Sequence, residues 1–236
     1  MNFNYSRLTT FLLMAVFSLL LSPTSQAQND STQTHALEQI LMQDSAEQAV
    51  EGATMQVLAL IKEGQSYASQ DEERFYREVE ALVRPMIDFK RFARNVMGPS
   101  YRTATEEQRM RFSESFKWGL VRSYALALTE FHNGKVEVLP PRRPSSNPKK
   151  AKVVQEITFE GKTYVVVYLM QRNKKNVWRV QNIIIEGVNL GLNYKNQFAK
   201  EVRRKEYQGD LDKVIDAWTK FVNKEANAAK AEAPSA

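Results

Sequence analysis

Apolar residues in the first half of the chain recur every three or four positions, and farther along they recur every second position. Between His35 and about Lys62 they stand at Leu37, Ile40, Leu41, Ala49, Val50, Ala53, Val57, Leu60 and Ile61, the spacing of one or two helices with a single buried stripe. Ser69 with Glu72 forms a capping box for a helix that Pro85 stops after Arg84. Asp88 caps a short helix closed by Gly98. Thr105 with Gln108 opens a long one, whose stripe runs Phe112, Phe116, Leu120, Tyr124, Ala127, Leu128 and Phe131 before His132-Asn133-Gly134. The period then drops to two. Lys135–Leu139, Ala151–Phe159, Lys162–Gln171 and Val177–Glu186 read as strands, joined by a proline-rich basic loop from Pro140 to Pro148 and by tight connections at Glu160-Gly161 and Arg172–Asn176. Helices return over Asn193–Lys205 and behind Asp210, the last with Leu211, Val214, Ile215, Trp218 and Phe221 inside. From Glu225 the Ala/Lys/Glu tail, residues 225–236, lacks bulky apolar residues and is expected to be disordered.

Helices, an antiparallel meander of about four strands, then helices predict an α+β fold. The helical parts cover roughly 35–132 and 190–224 and the sheet 135–187, within one unit spanning 28–224. Tyr164-Val165-Val166-Val167-Tyr168-Leu169-Met170 is apolar on both faces, unlike a strand with one wet side. Either helices cover both faces, or one face lines an apolar cavity.

The first 27 residues read as a secretion signal: Arg7, an apolar run from Phe11 to Leu21, and Ser25-Gln26-Ala27 as a small-x-small cleavage site. The run falls short of the roughly 20 residues that span a bilayer, although a retained anchor is the alternative. Gln28 stands where a lipoprotein carries its cysteine, so a soluble exported chain is expected. The chain has no cysteine and two histidines, which leaves no thiol nucleophile and little material for a metal site; no metal and no cofactor are expected. A net charge of +6 suits anionic partners, and export argues against nucleic acid; the same charge also serves plain solubility.

Catalytic groups are hard to assemble. His132 sits at a helix end, His35 near the mature terminus, and Asp88 where a helix cap belongs, and there is no phosphate loop or nucleophile elbow. The protein reads as a non-enzyme. The helical aromatics are first a core stripe, with Phe116 and Tyr124 also candidates for a pocket wall. On the strands Tyr164, Val166, Tyr168, Met170, Trp178, Val180 and Ile184 are the candidates for an apolar ligand. Arg142, Arg143, Lys149 and Lys150, on the proline-rich loop, are candidates for docking a partner or a lipid head group, or are simply solvated.

Two blocks carry a family resemblance. One is Val177-Trp178-Arg179-Val180-Gln181-Asn182-Ile183-Ile184-Ile185-Glu186-Gly187-Val188-Asn189-Leu190 with Asn193-Tyr194-Lys195-Asn196-Gln197-Phe198. The other runs Asp88-Phe89, Ala93-Arg94, Val96-Met97-Gly98, Tyr101 through Gln108, Phe112 and Phe116. Together, and across about Ala46 to Phe221, the chain resembles the MlaC family of periplasmic phospholipid carriers, first described as toluene-tolerance proteins. It departs from the family at Tyr101-Arg102, often Trp-Arg; at Gln181-Asn182, often Tyr-Asp; and at Asn189, often Ser. The loss of the acid at Asn182 puts a polar role there in doubt. The resemblance implies a sheet of the cystatin- or NTF-like kind around a deep cavity that takes the acyl chains of a diacyl phospholipid as cargo. It also implies a monomeric shuttle in the periplasm between an outer-membrane lipoprotein complex and an inner-membrane lipid ABC transporter complex, maintaining outer-membrane lipid asymmetry. Two readings compete with it: an NTF-like periplasmic enzyme on a small apolar substrate, using Asp88 and His132, and a ligand-free adaptor with a solid core.

Overall fold

The computed structural model describes residues 36–130, 133–143 and 145–232. The expected leader with its cleavage site near Ala27, together with His35, Phe131 and His132, lies outside them. After a helical turn over 36–41, helix α1 spans Ala46–Gly64, α2 Glu72–Met86, α3 Phe89–Met97, the one-turn α4 Ser100–Thr103, and α5 Glu106–Glu130. Strands β1 Lys135–Leu139, β2 Lys150–Phe159, β3 Lys162–Arg172, β4 Trp178–Ile185 and β5 Val188–Asn189 follow, then α6 Leu190–Val202 and α7 Leu211–Glu232. The five strands pair in sequence order, each neighbour antiparallel, so the expected meander is present with one short strand more.

Most helix starts follow the caps in the sequence. Asp88 accepts from the Arg91 N–H at 3.1 Å, and Thr105 and Gln108 bond each other's backbone at 2.9 and 3.1 Å. Two boundaries differ. Asp71, not Ser69, caps α2 by accepting from the Arg74 N–H, and α2 carries Pro85 inside its last turn. Proline there forfeits a single i→i−4 bond. The carbonyls of Arg84 and Ile87 around it are taken up by Arg179 Nη2 at 2.7 and 2.5 Å. Helix α7 also continues to Glu232, past the expected start of a disordered tail at Glu225, because alanine, lysine and glutamate are among the strongest helix formers.

The helical core gathers α3, α5, α6 and α7 around Trp218, Phe112, Phe116, Phe198 and Phe92, each at most 2 % exposed. Phe112 meets Phe198 edge-on at 4.8 Å and Phe116 meets Tyr194 at 5.3 Å. Outside this core, Arg111 bridges Asp212 and Asp216 of α7, and Gln108 bonds Asp212. A separate, smaller core joins α1 to the sheet through Ala46, Ala49, Val50, Val153, Met170, Trp178 and Val180. The two cores leave α1 lying across one face of the meander. That placement creates the site.

Candidate functional site

The register decides which side chains look toward α1. Val153 faces Tyr168, Gln155 faces Val166 and Ile157 faces Tyr164 across β2 and β3, so the even positions of β3 and the odd positions of β2 share one face. Met170 pairs with Val180 of β4, but the next pair is Leu169 with Asn182, a shift that leaves Gln181 as an extra residue. Beyond this bulge the parity flips: Ile183 and Ile185 pair with Tyr168 and Val166 and turn toward α1, and Ile184 turns away.

Between this face and α1 lies a pocket of about 310 Å³. Val50, Ala53, Val57, Leu58 and Ile61 of α1 form its roof; Val136, Ile157, Tyr164, Val166, Tyr168, Met170, Val180 and Ile185 form its floor; Leu41, Met86 and Tyr124 close the sides. Six of the nine predicted wall residues border it: Tyr124, Tyr164, Val166, Tyr168, Met170 and Val180. Three do not. Phe116 is fully buried in the helical core against Phe92 and Tyr194, since its face of α5 packs on α3 and α6. Trp178 is sealed in the small core beneath Ala46 and Val50, with the Arg172 guanidinium 4.9 Å over its ring and pinned by the Gln43 and Asp44 carbonyls. Ile184 lies on the opposite face because of the bulge. Val57 and Ile61 belong to the apolar stripe that the sequence marks on α1 without showing what it covers, while Thr54 and Leu58 beside it carry no such signal.

One polar chain crosses this apolar space. The Tyr168 hydroxyl donates to Gln155 Oε1 at 2.8 Å, and Gln155 Nε2 donates to Thr54 Oγ1 at 2.7 Å, tying α1 to the sheet. Gln155 is 2 % exposed, and burial pushes the Tyr168 phenol up to about 12. Among the described residues the pocket lining holds hydroxyls and an amide but no Asp, Glu, His, Lys or Arg. Asp88 is engaged instead as the cap of α3, with its own N–H donated to the Val180 carbonyl at 2.9 Å. The described residues hold no cluster of three or more metal-ligating side chains.

The far face of the sheet is different. There a groove of about 850 Å³ is bordered by Arg91, Arg94, Arg102, Arg143, Lys150, Lys152 and Lys195, with Glu47 as its one carboxylate. Of the four loop cations singled out in the sequence, Arg143 and Lys150 border this groove, while Arg142 and Lys149 stand off it; none of the four borders the apolar pocket. Gln181 and Asn182, side by side in the bulge, both face the groove. Asn182 has a structural partner set: its Oδ1 accepts from the Gly191 N–H at 3.0 Å and its Nδ2 donates to Asn189 Oδ1 at 2.8 Å, while Asn189 caps α6 through the Leu192 N–H. A carboxylate here could accept from the Gly191 N–H as well, but only an amide can also donate to Asn189 Oδ1, so the departure from the family pattern retains a role.

A helix laid over an antiparallel meander, with an apolar pocket free of acid–base pairs between them, defines an α+β protein built to hold an apolar ligand. The profile of the MlaC protein family matches residues 51–220. The chain is 33 % identical over 182 residues to the toluene tolerance protein Ttg2D of Pseudomonas putida, covering 76 % of this chain and 82 % of that protein. It is 25 % identical over 153 residues to the intermembrane phospholipid transport system binding protein MlaC of Haemophilus influenzae, over 64 % and 68 % of the two chains. Among solved structures it resembles a phospholipid-binding protein from Ralstonia solanacearum in complex with a phospholipid, with a TM-score of 0.65, 27 % identity, and coverage of 77 % of this chain and 96 % of that one. The protein belongs to the MlaC family.

Proposed function

We propose that this protein binds diacyl phospholipid, with acyl chains in the pocket between α1 and the meander, and carries it through the periplasm as a soluble monomer between an outer-membrane lipoprotein complex and an inner-membrane transporter. The observation that carries this reading is the pocket itself: apolar walls from two elements, crossed by one satisfied polar chain, with no ionisable pair for turnover. The phospholipid held by the related Ralstonia protein supports the same cargo. A solid-core adaptor has no use for such a pocket, and an NTF-like enzyme needs an acid and a base inside it. Each methylene removed from water is worth about 0.8 kcal/mol, so two chains with roughly 30 methylenes gain on the order of 24 kcal/mol. Unaided diffusion through water is thus blocked, and shielding alone performs the task.

Native mass spectrometry with organic extraction tests the reading. The purified protein is expected to carry, or take up from vesicles, a diacyl phospholipid. Filling the pocket with Val57→Trp and Ile157→Trp is expected to lower lipid occupancy at least about tenfold while the helical core stays intact. A wild-type protein that is empty and accepts no lipid from vesicles overturns it.

A further inference from the structure

The basic groove on the far face of the sheet gathers its cations from segments remote in sequence: α3, α4, the β1–β2 loop, β2 and α6. All seven side chains are exposed, and none forms an ion pair among the described residues. Elsewhere Arg74, Arg84, Arg111, Arg122 and Arg204 each hold a carboxylate, and Arg109, Arg172 and Arg179 hold backbone carbonyls. Bringing seven cations together against the single carboxylate of Glu47 opposes folding and creates a positive potential focused in a concavity. A single small anion neutralises only part of it. A flat bilayer reaches the rim of a concavity more readily than its floor. The floor adds the amides of Gln181 and Asn182, and the edge adds Leu192, a leucine left 53 % exposed.

We propose that this groove docks an acidic segment of a partner protein, its carboxylates meeting Arg91, Arg94, Arg102 and Lys195 and an apolar side chain resting on Leu192. The proposal rests on the carrier reading for its purpose: a shuttle must find and leave its donor and acceptor quickly, and charge complementarity speeds encounter without a large apolar interface. It separates the molecule into a cargo face under α1 and a docking face on the other side of the sheet.

The test uses the mature protein and a fluorescent peptide of alternating glutamate and leucine, followed by anisotropy over a salt series. The triple variant Arg91→Glu, Arg94→Glu, Lys195→Glu is expected to weaken binding by about tenfold or more. A variant with the same change of net charge off the groove, Arg142→Glu, Lys149→Glu, Lys174→Glu, is expected to shift it by less than about twofold at moderate salt. Lipid occupancy should be unchanged in both; a wild-type protein that binds the peptide but takes up no lipid defeats the carrier reading alone, and one that carries lipid but does not bind the peptide defeats the groove alone. Equal weakening by the two variants, or a wild-type protein that ignores the peptide, overturns the proposal. So does sedimentation with phosphatidylglycerol vesicles that depends on the groove residues and is not competed by the peptide, which assigns the groove to a membrane. Should the triple variant fold poorly by circular dichroism, Arg94→Gln with Lys195→Gln replaces it, and unchanged peptide affinity in that pair is equally fatal.

Discussion

Tyr168 joins pocket wall, hydrogen-bond chain and α1 attachment in one side chain. Its replacement by Phe keeps the ring and leaves Gln155 Oε1 without its donor inside an apolar space, which is expected to cost about 1–3 kcal/mol in urea unfolding. The phenol also titrates. Burial raises Tyr168, and burial with the Glu72 carboxylate raises Tyr76, each to about 12 against an ordinary 10.0. The folded protein therefore holds these protons more tightly than the unfolded chain does. Their contribution is complete below about pH 10 and is lost as pH rises through about 12; Tyr168→Phe should flatten that alkaline fall in stability. Phe116 makes the contrasting case. Phe116→Ala is expected to cost about 3–5 kcal/mol and to leave lipid occupancy unchanged, because the ring sits in the helical core and not at the pocket. Loss of lipid without loss of stability contradicts this placement. From sequence Phe116 and Tyr124 look alike, since spacing shows that a helical face is buried but not against which neighbour, and only Tyr124 borders the pocket.

At the scale of elements, strand pairing and helix order were legible because period and turn residues are local signals. The β4 bulge was not. Gln181-Asn182 carries no glycine or proline to mark it, and a single extra residue exchanges the faces of everything after it, which is why Val180 borders the pocket and Ile184 turns away from it. The choice of Asp71 over Ser69 as a cap is the same kind of ambiguity, between residues two positions apart that both favour the role. Glycine at the end of α1 has a reason no pattern shows. A Cβ on Gly64 would strike the Phe75 ring, which is fully buried where α1 meets α2. Gly64→Ala should destabilise the protein by about 1–3 kcal/mol, read as a lowered urea midpoint, whereas alanine at a free helical glycine would stabilise.

For the whole molecule, both sheet edges are blunted. β5 is two residues long and runs straight into α6, and β1 carries Lys135 and Glu137 before Pro140 and Pro141 end it. Strand addition is therefore a poor route to self-association, and sedimentation velocity should show a monomer with or without lipid. N-terminal sequencing of the exported protein should begin at Gln28; retention of Met1 contradicts the secretion signal.

Met170 borders both the apolar pocket and the basic groove. Only the thickness of β3 separates what the protein carries from what it touches. Two sites with a shared wall fall under thermodynamic linkage: if a docked partner weakens lipid binding by some factor, bound lipid weakens docking by that same factor. A partner that empties the carrier would then release it once empty only at the cost of its unloading power, and a partner that fills it faces the mirror constraint.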